Sequence, residues 1–166
     1  CGDIGFLEKG SKIHREIDKK GWLEKETTIG NTLIDMYAKL GCIKQASEVL
    51  EKHQKRDLVS WNALIAGYLQ HNLGEEALNC LKSMRTNNIS PNEVTFVSCL
   101  KACASIGALH VGQEIHSQII KQGFEKDTFL GSILMDMYMK CGSFKETCRV
   151  FDELTTRDVV SWTTLI

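Results

Sequence analysis

Two groups of residues in the 166-residue sequence have the types and spacing of chemically active sites. His14 and Glu16 form an H-x-E pair, as in zinc deaminases, but no P-C-x-x-C follows to complete the metal site. Cys99 and Cys103 lie four residues apart on one helical face, where they would hold a metal only with ligands from elsewhere. Neither a glycine-rich phosphate loop nor a nucleophile elbow is present. We therefore predict that the chain is not an enzyme and uses no metal, cofactor or small-molecule substrate.

The composition predicts a folded chain without a membrane segment. Hydrophobic residues make up 43% of the sequence and charged residues 25%, which is enough apolar surface for a continuous core. No stretch approaches the roughly 18 apolar residues that a membrane span requires. Seven cysteines without paired short spacings favour a reducing compartment. The net charge of −1 argues against binding of a polyanion through bulk electrostatics alone, so any such binding must depend on local groups.

The sequence repeats itself with a period of about one hundred residues. Nine residues from Leu33 (LIDMYAKLG) return from Leu134 as LMDMYMKCG, identical at six positions and shifted by 101 (134 − 33). The segment from Arg56 (RDLVSWNALI) returns from Arg157 as RDVVSWTTLI with the same shift. Upstream the shift is 102, so one residue is inserted near Trp22. Self-similarity at a fixed period is the signature of a tandem array.

Each period contains several shorter units. Similar patterns that lead into an apolar helix begin at Thr27, Leu58, Glu93, Thr128 and Val159. The predicted units are a partial one at 1–26, complete ones at 27–57, 58–92, 93–127 and 128–158, and the start of another at 159–166. Complete units of 31 or 35 residues hold two helices that cannot bury their apolar faces alone, so neighbouring hairpins must stack. We predict an all-α fold, a right-handed α-solenoid of tandem helix-turn-helix repeats, here a segment of a longer array.

Local signals predict where the helices of unit 58–92 begin and end. Ser60 is expected to cap the first helix, and Asn72 with Glu75 three residues later resembles a capping box for the second. Pro91 supplies a stop, because it lacks an amide hydrogen.

Several segments resemble a known family. VSWNALI from Val59, EEAL from Glu75 and SPNEVTF from Ser90 resemble the consensus of the plant pentatricopeptide repeat (PPR), and the segment from Leu33 resembles its short variant. The succession of partial long, short, standard, long and short repeats over the whole chain resembles the PLS subclass. The resemblance implies a TPR-like solenoid that binds single-stranded RNA.

The resemblance also implies which residues would contact RNA. In the family, the fifth and last residues of each repeat read one base and the second residue clamps it. The base-reading residues carried over are Asn31, Asp57, Asn62, Asn92, Val97, Asp127, Ser132, Asp158 and Thr163. The base-clamping residues are Thr28, Val59, Val94, Phe129 and Val160. By the family's pairing rules these residues imply a preference for 5′-U-Y-N-G-3′, where N reflects a valine that cannot hydrogen-bond a base.

Other roles compete for some of these residues. Asp57 and Asp158 are suited to stabilising the following helix through its dipole, and Asn31 and Asn62 to local capping. Two pairs of equivalent residues elsewhere are predicted to be structural. Trp61 and Trp162 are expected in the core rather than stacked on a base, and His14 and His116 at a surface or hairpin-packing position.

Two functions of different classes follow. The PLS resemblance implies part of an organellar RNA-editing specificity factor for cytidine-to-uridine conversion, in a mitochondrion or chloroplast. Its partners would be an organellar transcript and proteins of the editing complex. The alternative is a TPR-like protein-interaction scaffold, since such solenoids bind peptides on their concave faces. Asn, Ser or Thr at four of the five fifth positions favours RNA over a peptide.

Overall fold

The computed structural model describes residues 4–53, 56–124, 127–154, 156–157 and 159–165. All regular secondary structure in these ranges is α-helical, as predicted. The helices form two compact units, Cys1–Pro91 and Asn92–Ile166. No helix within the described ranges has the length and apolar character needed to cross a membrane.

The first unit is built from helices that pack mainly on their sequence neighbours. Its helices are α1 Ile4–Lys19, α2 Trp22–Lys25, α3 Thr27–Lys39, α4 Ile43–Lys52, α5 Leu58–Gln70 and α6 Gly74–Thr86. Helix α3 packs on both α4 and α5, and α5 packs on α6. The core between them contains the fully buried side chains of Ile34, Leu64, Ile65 and Met84. The α3–α4 hairpin thus buries its apolar stripe against the α5–α6 hairpin.

The second unit has the same plan. Its helices are α7 Glu93–Ile106, α8 Leu109–Lys121, α9 Thr128–Lys140, α10 Phe144–Glu153 and α11 Val159–Thr164. Helix α9 packs on α7, α8, α10 and α11. Phe96, Leu100, Ile115 and Met135 are fully buried between them.

Helix lengths separate the two helices of a hairpin. The helices that open the repeats and are complete here, α3, α5, α7 and α9, have 13, 13, 14 and 13 residues. The helices that close them fall in two classes, with 13 residues in α6 and α8 and 10 in α4 and α10. The difference between 31- and 35-residue units therefore lies largely in the closing helix, by about one turn.

Left-handed residues end the opening helices. Gly41 and Gly142, with φ of 76° and 73°, follow α3 and α9. Their amides and those of the next residues bond back to carbonyls of the last turn in a Schellman arrangement. Asn72 (φ 58°) does the same after α5, so its predicted role as the N-cap of α6 is wrong. Leu73 is the N-cap of α6, without a side-chain bond.

The two equivalent tryptophans differ. Trp61 is 5% exposed, so its predicted place in the core is confirmed. Trp162 is 55% exposed, and its prediction was wrong. Its ring meets Phe151 edge-on, with centroids 4.9 Å apart. Within the described residues, α11 contacts no later helix that would cover the other side of this ring.

The two equivalent histidines pack within their units, as predicted. Nδ1 of His14 lies 3.0 Å from the Tyr37 hydroxyl, and Nδ1 of His116 lies 2.9 Å from that of Tyr138. Burial raises the pKa of Tyr138 to about 12, so its hydroxyl stays protonated and can donate to the imidazole. Burial also lowers the pKa of His116, which favours the neutral ring that accepts this bond.

Acid should destabilise the chain through His116. Its folded pKa lies below the ordinary value of 6.5, so the unfolded chain binds the proton first as pH falls. We expect the free energy of unfolding, measured by urea denaturation, to fall as pH drops below about 6.5, and to fall less steeply in His116→Gln. His110→Gln is the control, because the His110 side chain is 85% exposed. An unchanged pH slope in His116→Gln would contradict this assignment.

One buried histidine has no polar partner among the residues that the structure describes. His53 is 1% exposed, and within those residues neither ring nitrogen forms a hydrogen bond. The ring packs against Gly30, where a Cβ atom would lie only 2.6 Å from its Cδ2. The equivalent residue in the second unit is Leu154, 4% exposed and packed in the same way on Gly131. An apolar side chain is therefore accommodated at this position.

We expect His53→Leu to raise the free energy of unfolding by about 1–2 kcal/mol, because it removes unsatisfied buried nitrogens. Urea denaturation at neutral pH measures the change. His71→Leu is a matched control that should give no gain, because Nε2 of His71 is bonded to the Ala38 carbonyl at 3.0 Å. A loss of stability in His53→Leu would show that the ring has a role that leucine cannot fill.

Candidate nucleic-acid interface

The opening helices carry the predicted contact residues. Helices α3, α5, α7, α9 and α11 begin at Thr27, Leu58, Glu93, Thr128 and Val159, where the sequence units open. The predicted clamping residue is then second in each helix and the first reading residue is fifth, while the other reading residue, the last of the repeat, precedes the next opening helix. Residues three apart share one helical face, so each clamp lies beside its reader.

The clamping positions are exposed wherever their side chains are described. Val59, Val94 and Phe129 are 59%, 57% and 57% exposed, and Thr28 is also exposed. Val160 lies in α11, and its side chain is outside the described part. Folding therefore leaves an apolar group in water beside each of three reading residues.

The first predicted reading pair, Asn31 and Asp57, is joined by hydrogen bonds. Nδ2 of Asn31 lies 3.3 Å from both carboxylate oxygens of Asp57. Ser60 joins them, because its single hydroxyl hydrogen is shared between two acceptors, Oδ1 of Asn31 and Oδ1 of Asp57, the latter 2.9 Å from the hydroxyl oxygen. Asn31 and Asp57 are half-buried, while Ser60 is fully buried. Side chains of two repeats thus form one network at the start of α5.

Asp57 also begins the next helix. It is the N-cap of α5 and accepts a 2.8 Å bond from the Ser60 amide, while the Ser60 hydroxyl faces the Asp57 amide at 3.4 Å. The predicted N-cap role of Ser60 is therefore wrong. Aspartate caps as well as serine does, and its carboxylate reaches the third residue of the helix. The competing role of Asp57 as a helix-stabilising residue is real and coexists with its bond to Asn31.

The network alters the acidity of Asp57. Burial raises the pKa of its carboxyl group, but hydrogen bonds from the Ser60 amide, the Ser60 hydroxyl and the Asn31 side chain lower it more. The net pKa lies below the ordinary 3.8. Asp57 is therefore ionised at neutral pH and can only accept hydrogen bonds.

The last residues of two further repeats cap helices in the second unit. Asn92 caps α7 by accepting from the Thr95 amide at 3.1 Å and the Thr95 hydroxyl at 2.9 Å. Asp127 caps α9 by accepting from the Leu130 amide at 2.7 Å. The third residue of α9 is a leucine, which has no hydroxyl. The cap of α9 therefore lacks the hydroxyl bond that Ser60 and Thr95 make to the caps of α5 and α7.

The remaining predicted readers lie in varied surroundings. Val97 is half-buried on α7, and Thr163 is exposed on α11. Ser132 is 7% exposed and donates to the Thr128 carbonyl at 3.0 Å, so its hydroxyl is largely withdrawn from solvent. Asn62 is half-buried on α5. Asp158 lies outside the described residues.

Sequence reasoning missed the third residue of the opening helices as part of the site. Ser60 and Thr95 are both fully buried and both bond to the capping side chain. The recurrence of a hydroxyl at this position, with Ser161 as the third instance, could have revealed it.

The candidate site combines hydrogen-bonding side chains with exposed apolar side chains at the predicted clamping positions. Across the described ranges, no three His, Cys, Asp or Glu residues are grouped to hold a metal ion. The arrangement can bind a flat, polar-edged group: the clamp would contact its face and the amide of Asn31 its edge.

Family models match the chain over these repeats. The model described as the PPR repeat family matches residues 56–105, and the model described as the PPR repeat matches residues 31–57 and 132–159. Together they cover more than half of the sequence, so the chain belongs to the pentatricopeptide repeat family.

Curated relatives match the whole chain. The Arabidopsis thaliana pentatricopeptide repeat-containing protein At2g33680 is 41% identical over 100% of this chain and 23% of its own length. The chloroplastic protein CRR2 from the same plant is 41% identical over 98% of this chain and 25% of its own length. The mitochondrial protein At2g03380 from the same plant is 39% identical over 100% of this chain and 24% of its own length. The chain thus spans about a quarter of the length of these relatives.

Solved structures show the fold. The crystal structure of the pentatricopeptide repeat protein PPR10 from maize superposes with a TM-score of 0.73 at 22% identity, over 97% of this chain and 24% of that one. PPR10 in complex with an 18-nt psaJ RNA element gives a TM-score of 0.56 at 17% identity, over 99% of this chain and 30% of that one. The predicted fold class, an α-solenoid of helix-turn-helix repeats, is confirmed.

The hydrogen bonds to Asp57 predict how the pKa of its carboxyl group responds to a substitution of Asn31. Removing the Asn31 donor should raise the pKa of the Asp57 carboxyl towards its ordinary value, because less would then stabilise the charged form. NMR titration of the carboxyl carbon in Asn31→Ala and wild-type protein measures this. Asn62→Ala, one repeat further on, should leave the pKa of Asp57 unchanged. Equal Asp57 pKa values in Asn31→Ala and wild type would mean that the amide does not bond to the carboxylate in solution.

Proposed function

We propose that this chain binds single-stranded RNA, one nucleotide to each helical hairpin, as part of an organellar specificity factor for cytidine-to-uridine RNA editing. The chain holds the RNA and performs no chemistry itself. The proposal includes base reading by the fifth and last residues of each repeat and base clamping by the second.

The network of Asn31, Asp57 and Ser60 is the observation that carries it. Because the ionised Asp57 carboxylate can only accept hydrogen bonds, the NH2 group of Asn31 must face it, and the amide oxygen faces the Ser60 hydroxyl. One N–H and one oxygen lone pair of the amide remain for a ligand. They complement a base edge that offers a carbonyl beside an N–H, as uracil does with O4 or O2 and N3–H.

The other pairs extend this preference along the RNA. In the order proposed from the family's pairing rules, Asn31 with Asp57 selects uracil, Asn62 with Asn92 a pyrimidine, and Ser132 with the last residue of its repeat guanine. Val97 has no hydrogen-bonding atom in its side chain and leaves its nucleotide unspecified. The proposed sequence is 5′-U-Y-N-G-3′, with the N-terminal repeat at the 5′ side.

The exposed clamps and the charge balance support this mode of binding. Val59, Val94 and Phe129 offer apolar surface to the faces of bases, which gains affinity without regard to sequence. With a net charge of −1, the chain offers little bulk electrostatic attraction to phosphates, so binding must rely on local groups.

The comparisons support an RNA partner and an organelle. PPR10, whose fold the chain shares, has been crystallised with an RNA element, and the relatives CRR2 and At2g03380 are named as chloroplastic and mitochondrial. At about 1–1.5 kcal/mol for each of about four bases, this chain alone would bind with a dissociation constant of tens of micromolar or weaker. Tight binding would then require the longer protein of which such repeats form a part.

A pair of reciprocal substitutions tests the proposal. Asn31→Val makes the first reader resemble Val97, and Val97→Asn does the reverse. In titrations of labelled RNAs with a UCAG core and each single-base variant, wild type should prefer uracil at the first position by about tenfold. Asn31→Val should remove that preference alone, and Val97→Asn should create one at the third position. NMR or fluorescence at high micromolar concentrations covers the expected affinity range.

Equal weak binding of wild type to all the RNAs would overturn base recognition. It would favour the protein-interaction scaffold, for which an array of peptides would be the next probe. A preference for the reversed order would retain RNA binding and overturn the proposed polarity.

A further inference from the structure

The Ser60 hydroxyl occupies the centre of the first reading pair. It bonds to Oδ1 of Asn31, lies 2.9 Å from Oδ1 of Asp57 and 3.4 Å from the Asp57 amide. Ser60 is fully buried, so water cannot readily replace these bonds. This one hydroxyl therefore connects the reading residue of one repeat to the cap of the next.

The hydroxyl and the carboxylate hold opposite ends of the Asn31 amide. Asp57 attracts the NH2 end, and Ser60 is the donor to the oxygen end. If the hydroxyl were absent, the oxygen would lose its protein donor, and the amide would be held at one end only. The side-chain torsion of Asn31 would then be less restricted, although the charge of Asp57 would still favour the same face.

The sequence couples this hydroxyl to a polar reader. The third residue of the following helix is Ser60 after Asn31, Thr95 after Asn62 and Ser161 after Ser132. Where the fifth residue is Val97, the third residue of the next helix is Leu130. Helix capping alone does not require this coupling, because Asp127 caps α9 through the Leu130 amide without any hydroxyl.

We propose that Ser60 is a positioning residue for base recognition: its hydroxyl fixes the amide of Asn31 in the orientation that reads uracil. This inference rests on the proposed function and deepens it, since it adds a third residue, from the next repeat, to the pair that determines specificity. Ser60 does not touch the RNA, and it acts through Asn31.

The test compares three substitutions in the full chain, titrated with the UCAG core and its three first-position variants. Ser60→Ala should reduce the preference for uracil at the first position about fivefold, the factor that one hydrogen bond typically contributes. Ser60→Thr keeps a hydroxyl, as Thr95 does at the equivalent position, and should retain the preference. Thr95→Ala removes the matching hydroxyl from the cap of α7 and should leave the first position unchanged. Urea denaturation of each variant reports its folding.

A merely structural role predicts a different pattern. If Ser60 served only the cap of α5, Ser60→Ala would weaken binding of all four RNAs equally, as a loss of folded protein would, and the inference would be overturned. The same holds if Ser60→Ala keeps the uracil preference within twofold of wild type, in which case the proposed function stands without Ser60. If wild type itself shows no preference at the first position, the proposed function fails, and the inference fails with it.

Discussion

The backbone amides in the first turn of an opening helix need hydrogen-bond acceptors, and at three of these helices one acceptor is the side chain of the last residue of the preceding repeat. Asp57, Asn92 and Asp127 cap α5, α7 and α9 in this way. The boundary between repeats is thus a place of direct contact, where one hairpin supplies the group that the next one needs. The position of the last residue is set by backbone chemistry before any ligand is present.

Under the proposed function, this constraint links base specificity to the stability of the helices. The side chains that cap helices well are Asp, Asn, Ser and Thr. Each of them also has an oxygen for a neighbouring reader, and Asn, Ser and Thr can donate as well. A last residue can therefore be exchanged within this set, which changes the hydrogen bonds offered to the reader while the helix keeps its cap. In the Asn31 pair the same carboxylate performs both tasks, and its depressed pKa reflects both sets of bonds.

Much of the fold could be predicted from the sequence, because the repeat period and the apolar spacing are properties of the chain itself. The errors occurred where several residue types satisfy one local rule. Ser60 and Asp57 are both good caps, and the sequence alone did not reveal that the helix begins at the earlier one. Asn72 suits both a cap and a left-handed turn, and it makes the turn. Trp162 was misplaced because burial depends on neighbouring helices rather than on the residue. The contact between Ser60 and Asn31 joins residues that are 29 positions apart in the sequence, and Asp57 bonds to both. No local sequence pattern encodes such a contact.

The two lengths of closing helix have an evolutionary consequence. Helices α4 and α10 are shorter than α6 and α8 by three residues, whereas the opening helices that carry the readers keep nearly one length. Within this chain, the difference of about a turn thus lies in the helices that make no proposed contact with a ligand. A change in the length of a closing helix would leave unaltered the second, third and fifth positions of the opening helix, where the proposed site lies. In the proposed binding mode, repeat length and base preference could therefore change independently of each other.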